Sequence, residues 1–400
     1  MVKEIKIIQS RDKRLHFSYN DVYQFSLEVI KKANYSDSYA DATAKALLWA
    51  DARGIFSHGT AGGTGLEEAV KRSGITETVI PTAKPIILPQ KYPTLAVIDG
   101  NGAPGHITSE IAVDLVKSMA RKYGIAKVIV NNTNHYGAAG VWSERIAEDG
   151  DLKGEVSCTT VACVKPIGDD DDRIDYTIGA GTELRTGTNP LAISIPHSDG
   201  ILTLDMAFTK MAVSYCLKHL KANEMMSIPE YIADENYKST LNPKDFVDSM
   251  EELDKIKGTV FPLGSTHSGY KGDMMLRILE VDQSLGGGPI HKIPFKGEGD
   301  YRRISLSFQA QAIDFHYNNI QAKDRVSQLM EDYEQYFGPA SRWSGVRANQ
   351  AFQYSKTQGI PYSTGQINTL RRSAESVGLD FDTLIQPISE KSYPANLFNK

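Results

Sequence analysis

The stretch TLAVIDGNGAPGHITSEIAVDLVKSMARKYGIAKVIVNN, residues 94–132, decides the fold. Its two ends, 94–99 and 126–132, are short apolar runs rich in Val, Ile and Leu, the pattern of strands buried in a sheet. Between them, 107–124 places apolar residues at helical spacing. Strand, helix and strand in this order predict a crossover between parallel strands, and so an α/β region. The turn into the helix, Gly100-Asn101-Gly102-Ala103-Pro104-Gly105, spells a dinucleotide-binding G-x-G-x-x-G. That fingerprint needs an acidic residue about 20 positions on, at the end of the next strand, and this chain has Asn131 and Asn132 there. Pro104 also lacks the amide hydrogen that a phosphate-cradling turn requires. The motif therefore reads as a glycine-rich turn with Asp99 and Asn101 as turn formers, and a nucleotide would have to be bound in a non-Rossmann way.

Upstream, two helical patterns at 19–33 and 37–52 predict a helical hairpin. Ser18 and Asp21 have capping spacing at the first start, and Gly54 stands just past the second end. Ala40, Ala44, Leu47 and Leu48 keep to one face. The chain then leaves the helix through Ile55-Phe56-Ser57-His58-Gly59, which puts Ser57 and His58 on a loop. Downstream, the patterns predict a helix over 138–150, strands at 154–163, 191–195 and 201–205, and a helix over 207–221. The polar stretch 222–258 reads as an irregular connection with one acidic helix at 244–257. A helix over 271–285, a strand at 303–313 and a helical segment over 322–388 with a loop at 338–348 complete the chain.

A chain of 400 residues, 41% hydrophobic and 23% charged, can bury a core without staples and is long enough for two or three domains. The balance of 44 basic and 49 acidic side chains, net −5, argues against a polyanionic partner such as nucleic acid. Cys158, Cys163 and Cys216 have no metal-ligand spacing and read as free thiols of a reducing compartment, so a cytoplasmic location is expected. The N-terminal residues lack an apolar signal core, and no run of about 18 apolar residues occurs, so no membrane segment is expected. The H-E-x-x-H, paired C-x-x-C, calcium-loop and G-x-S-x-G patterns are all missing, and Asp169–Asp172 beside Arg173 reads as a solvated loop. No metal is expected.

Of nine histidines, one has a suggestive place. Asn134-His135-Tyr136-Gly137 follows an apolar strand and precedes a helix, so His135 sits at a strand's C-terminal edge, where open α/β sheets bind ligands. The partial positive charge of the following helix N-terminus disfavours imidazolium and keeps the ring a neutral proton acceptor, the state a general base needs. His16, His106, His197, His219, His267, His291 and His316 have no chemically interesting neighbour in sequence and read as structural.

Five segments in order resemble the malate/L-lactate/ureidoglycolate dehydrogenase family of non-Rossmann NAD(P)-dependent oxidoreductases. They are Ala50-Asp51-Ala52-Arg53-Gly54-Ile55-Phe56-Ser57-His58-Gly59, Asn134-His135-Tyr136-Gly137-Ala138-Ala139-Gly140, Gly187-Thr188-Asn189-Pro190-Leu191-Ala192, Leu204-Asp205-Met206-Ala207 and Gly269-Tyr270-Lys271-Gly272. The resemblance implies an α/β (α+β) subunit: a mixed-sheet NAD(P)-binding domain, 91–289, and a mainly helical domain built from 1–90 with 290–400. It implies hydride transfer between C2 of a malate- or lactate-like 2-hydroxy acid and nicotinamide, with His135 as general acid/base and Ser57 and His58 lining the same cleft. The cofactor, NAD or else NADP, would contact Thr160, Asp205, Met206, Ala207, Lys271, Gly345, Val346 and Arg347, in a homodimer. By themselves Asp205 reads as a helix N-cap and Lys271 as a surface charge.

This chain departs from the family in informative places. Thr60-Ala61-Gly62-Gly63-Thr64-Gly65 has no arginine where relatives often hold a substrate carboxylate, and loss of such a bidentate anchor is worth about 1.5–3 kcal/mol. Arg53, Arg185 and Arg347 are candidates to replace it. Val161 stands where many relatives carry Asp or Asn. A cyclic imino acid reductase and a non-catalytic nucleotide-binding protein are the alternative readings.

Overall fold

The computed structural model describes residues 6–75, 79–159, 187–228, 231–236, 238–248, 257–264, 268–287, 304–313, 320–337 and 343–398. Strand β1 (Gln9–Phe17) leads into helices α1 (Tyr19–Lys32), α2 (Asp37–Ala52) and α3 (Leu66–Ile75). Strands β2 (Ile86–Ile87) and β3 (Leu95–Asp99), helix α4 (Gly105–Tyr123), strand β4 (Ile125–Thr133), helix α5 (Ala139–Ala147) and strands β5 (Leu152–Thr159), β6 (Leu191–His197) and β7 (Gly200–Met206) come next. Helix α6 (Val213–Ala222), strands β8 (Ile232–Ala233), β9 (Ser239–Thr240) and β10 (Thr259–Val260), helix α7 (Gly269–Ser284) and strand β11 (Ile304–Ala312) follow. The chain continues through α8 (Ala322–Phe337), α9 (Val346–Gln358), β12 (Ile360–Tyr362), α10 (Thr364–Glu375), α11 (Phe381–Leu384), β13 (Ser389–Pro394) and α12 (Ala395–Phe398).

Contacts divide the chain into two units, one of residues 1–156, 192–205 and 308–400 and another of 157–191 and 206–307. In the first, a sheet runs in the order β2-β3-β4-β11-β5-β6-β7. β3 and β4 are parallel neighbours, with Val97 opposite Ile129, and α4 is their crossover. It buries Ile107, Ala112, Val113, Val116 and Met119 and ends at Gly124, whose φ of 86° suits glycine. The sheet is mixed, since β2 runs antiparallel to β3. The helical hairpin forms as read, and the Ser18 side chain accepts the Asp21 amide at the start of α1.

Its core joins Phe25, Val29, Ile30, Leu47 and Leu48 to Ile360, Tyr362, Leu370 and Phe381 from the far end of the chain. Ala103 and Ile107 enter the same core. Residues 91–156, assigned from sequence to the α/β segment, are thereby packed into the unit of the chain's two ends. β1 is a further departure, because its polar, charged sequence carries no strand pattern. Pairing makes it a strand: it lies antiparallel between β12 and β13, with Leu15 opposite both Tyr362 and Glu390.

In the second unit the helix expected over 207–221 starts only at Val213. The residues before it are drawn into extended pairing instead: Phe208 donates to the Thr188 carbonyl, Lys210 to that of Phe261, and Leu263 back to Phe208. The connection expected to be irregular carries a small sheet, with Ala233 opposite both Thr259 and Ser239. The helix anticipated at 244–257 is, among the described residues, one 3-10 turn at Pro243–Asp245 capped by Asn242; residues 249–256 lie outside them. Met211, Cys216, Ile232, Phe246 and Val260 form a core, and burial pushes the Cys216 thiol up to about 12. Cys158 is buried too, whereas Cys163 and Asp169–Asp172 lie outside the described residues. Among those residues no helix is long and apolar enough to cross a membrane.

Candidate active site

His135 follows the end of β4 on a loop that is fixed from three sides. The Asn134 amide donates to the carbonyls of Gly102 and Ala103 at 2.9 and 3.1 Å. Gly105 lies flat against the loop, since a Cβ there would fall 2.0 Å from the Asn134 carbonyl oxygen. Trp142 Nε1 donates to the Tyr136 carbonyl at 2.8 Å. The glycine-rich turn is thus a clamp on the histidine loop, made by residues that need to come closer than a side chain permits. Gly137, at φ 82°, turns its amide back so that it donates to His135 Nδ1 at 3.1 Å. That bond makes Nδ1 an acceptor and puts the single proton of the neutral ring on Nε2.

Ser57 and His58 occupy a 3-10 turn, Phe56–His58, beyond α2, and Ser57 Oγ lies 2.9 Å from His58 Nδ1. Sequence reading passed over the residue that places this turn. Asp51 near the end of α2 accepts the Thr60 amide at 2.9 Å, the Thr60 hydroxyl, and the Tyr362 hydroxyl at 2.6 Å. Gly59 is pressed against the same carboxylate, where a Cβ would overlap it. Burial pushes the Asp51 carboxyl up to about 6 against the pull of these donors. An acid in the last turn of an alanine-rich helix was the only signal available.

The two loops bring His58 and His135 together, their rings stacked with centroids 5.8 Å apart and planes 27° from parallel. Of the three residues expected to carry the chemistry, all are therefore in one place. His106 differs from its expectation as an unremarkable structural histidine. It lines, with His135, Asn134, Thr43, Thr64 and Glu68, a small solvent-open pocket whose wall also includes Tyr35 and Val79. Burial drives its imidazole down to about 4, so it is neutral.

The expected cofactor residues have separate settings. Asp205 Oδ2 accepts the Gly140 amide at 2.9 Å and so caps α5, the helix after the histidine loop. Asp205 is not the N-cap of the helix that follows it, which begins at Val213 after Ala212; its carboxylate serves the first turn of α5 instead. Gly345, at φ 87°, lies where a Cβ would sit 3.1 Å from the Thr203 backbone, and Ser344 donates to the Thr203 carbonyl at 2.8 Å. Val346 begins α9. In the other unit, exposed Lys271 stands in the first turn of α7. Gly272 packs where a Cβ would be 2.4 Å from the Leu263 carbonyl, and Asn189 donates to Leu276 and Glu280 of the same helix at 3.0 Å. Met206 and Ala207 are half-buried between β7 and the extended segment. Thr160, Val161 and Arg185 lie outside the described residues.

Arg53 is not available for a substrate carboxylate. It is 5% exposed, paired with Glu144, and held between the rings of Trp49 and Phe352 at 4.2 and 4.4 Å. Arg347 donates to the Leu397 carbonyl, and burial lowers its pKa.

The fold is thus a mixed α/β sheet in which one histidine, His135, follows β4 and the other, His58, stands on the 3-10 turn after α2. Residues 17–371 match the malate/L-lactate dehydrogenase family, and the chain belongs to it. It is 30% identical over 253 residues to the L-sulfolactate dehydrogenase of Methanothermobacter thermautotrophicus, covering 63% of this chain and 65% of that relative's length. It is 29% identical over 367 residues to the L-sulfolactate dehydrogenase of Methanocaldococcus jannaschii, covering 90% of this chain and 96% of the relative. The solved malate dehydrogenase of Entamoeba histolytica shares the fold, with a TM-score of 0.74 over 92% of this chain and 99% of that one at 21% identity. Dehydrogenases of this family act on the CH–OH group of hydroxy acids and depend on pyridine nucleotides.

Proposed function

We propose that this chain is an NAD(P)-dependent dehydrogenase of a 2-hydroxy acid, with His135 exchanging the proton of the substrate oxygen. The observation that carries the reading is the stack of His58 on His135, on loops each held by buried hydrogen bonds. The residues present suit a nucleotide. Lys271, exposed in the first turn of α7, offers an ammonium to a phosphate. NAD is the cofactor proposed, with NADP as the other possibility. A homodimer is proposed from the family resemblance, and the cytoplasm from the buried free thiols Cys158 and Cys216.

A bound nicotinamide supplies or removes the hydride at C2. The protein's part is to hold the acid and manage one proton. With the Gly137 amide on Nδ1, neutral His135 presents Nε2–H as a donor to the oxygen of a 2-oxo acid. Delivering the Nε2 proton to the nascent alkoxide leaves a neutral ring only if Nδ1 carries the other proton, so the donor in reduction is the imidazolium, formed with loss of the Gly137 bond. Oxidation asks Nε2 to accept, and does so only after the ring's proton has moved to Nδ1. Ser57 and His58 hold the substrate from the other loop.

The test is nicotinamide absorbance with malate, lactate and their 2-oxo partners. His135→Ala is expected to lower kcat by about 10²–10⁴-fold while nucleotide binding persists. Undiminished turnover in that variant would remove His135 from the chemistry. Nucleotide binding without turnover of any acid would favour a non-catalytic protein.

A further inference from the structure

We propose that the buried Arg53–Glu144 pair is a strut that fixes the distance between His58 and His135, which makes both of its members positioning residues for the reaction. The inference rests on the dehydrogenase reading above and adds what holds its two loops against each other. Arg53, the C-cap of α2, stands five residues before His58. Glu144 lies in α5, nine residues after His135. Each histidine loop therefore joins directly to a helix that carries one end of the pair.

The two helices meet through residues four apart on each, a spacing that puts both on one face. Trp49 and Arg53 of α2 face Gly140 and Glu144 of α5. At the first contact, a Cβ on Gly140 would lie 3.0 Å from the Trp49 ring, so the helices touch there with no side chain between them. At the second, the Arg53 guanidinium pairs with the Glu144 carboxylate, their side chains 6% and 9% exposed, and Trp49 Nε1 donates to the same carboxylate at 3.4 Å. Phe352 of α9 closes over the guanidinium at 4.4 Å. The pair cannot swing toward water, so its length sets the spacing of the helix ends, beyond which His58 and His135 stack with centroids 5.8 Å apart.

Stability alone does not account for this pair. Arg53 Nε and Nη1 are buried with no hydrogen-bond partner among the described residues, and in so incomplete a setting desolvation offsets much of the attraction. Apolar side chains of similar volume would hold the helices together as firmly. Their attraction is non-directional and has no preferred length, whereas an ion pair between two fixed rungs has one.

The variant that separates the roles is Arg53→Met with Glu144→Leu. It is expected to melt close to the native protein and to bind nucleotide with an unchanged Kd. Its kcat is expected to fall about tenfold or more, since misplacing a reacting group by about an ångström costs up to about 10²-fold. A pair that serves only stability would return kcat together with the melting temperature, so a folded double variant with native kcat overturns the proposal. Glu144→Asp keeps both charges and removes one methylene, and it covers the case in which the double variant does not regain stability. A several-fold loss of kcat at unchanged nucleotide affinity is expected there, and native kcat overturns the proposal. If the native protein turns over no acid, the dehydrogenase reading fails by itself and crystal structures decide the strut. A change of about 0.5 Å or more in the His58–His135 ring separation of the variant supports it, and a smaller change overturns it.

Discussion

Gly105 rests against the Asn134 carbonyl so closely that a methyl group on it would lie 2.0 Å from the oxygen, and 2.5 Å from the His135 carbonyl. The first residue of α4 therefore sets the position of the histidine loop. Gly105→Ala is expected to displace that loop and lower kcat by about 10²-fold, the usual scale for misplacing a reacting group by about an ångström. Circular dichroism separates this from unfolding, and full activity in a folded variant would show that the clamp is dispensable.

Asp51 ties stability to pH in an unusual direction. Its carboxyl is raised from 3.8 to about 6 by burial, so the folded state holds the proton more tightly than the unfolded chain. The stabilisation is complete below pH 3.8 and is lost as pH rises through 6, a change of about 3 kcal/mol at about 1.36 kcal/mol per unit. Asp51→Asn keeps one acceptor oxygen for Tyr362 and Thr60 and is expected to abolish this loss. Urea unfolding at pH 4, 5, 6 and 7 measures it.

His106 acts in the opposite sense. Its folded value of about 4 lies below the ordinary 6.5, so the stability it confers is present above pH 6.5 and is lost as pH falls toward 4, by about 3 kcal/mol. Between pH 4 and 6 the two groups offset one another, and the native protein should show a flatter curve than either variant. His106→Phe is expected to expose the Asp51 trend alone, with unfolding free energy falling steadily as pH rises.

Arg53 and Glu144 form a buried pair, to which Thr203 and Trp49 also donate at 3.3 and 3.4 Å. Removing one partner strands the other. Glu144→Ala is expected to cost about 3–5 kcal/mol, and the Arg53→Met, Glu144→Leu double variant to recover much of it. A double variant no better than Glu144→Ala in denaturant unfolding would show that the pair is worth more than its desolvation.

Much of the fold was legible because periodicity reports burial. α1 and α4 bury one regular face, so apolar residues recur at helical spacing, while α2 and α5 are buried on nearly all sides and show themselves by their small and apolar residues. β1 was illegible for the complementary reason: Gln9–Phe17 becomes a strand only through neighbours more than 340 residues away, and local sequence carries no trace of a partner so distant. In the site, Ser57, His58 and His135 were readable as polar residues at element ends. Asp51, Asn134 and Gly105 were not, since their work is to hold other residues, and a positioning group has no chemical signature of its own. Arg53 misled for the same cause: a guanidinium in a family motif near the histidines looks like an anion anchor until Glu144 is seen beside it.

The placing of β1 between β12 and β13 sets the order of events during synthesis. Residues 9–17 leave the ribosome early and have no strand partners until residues 360–394 have been made. The first unit cannot close while the chain is growing, whereas all of the second unit lies within 157–307 and can condense first. Closure of the first unit therefore waits for residues 360–394, at a rate limited by the search that joins β1 to them. A premature stop before residue 360 would leave the Ser57–His58 turn without the Tyr362 hydroxyl that helps to hold Asp51.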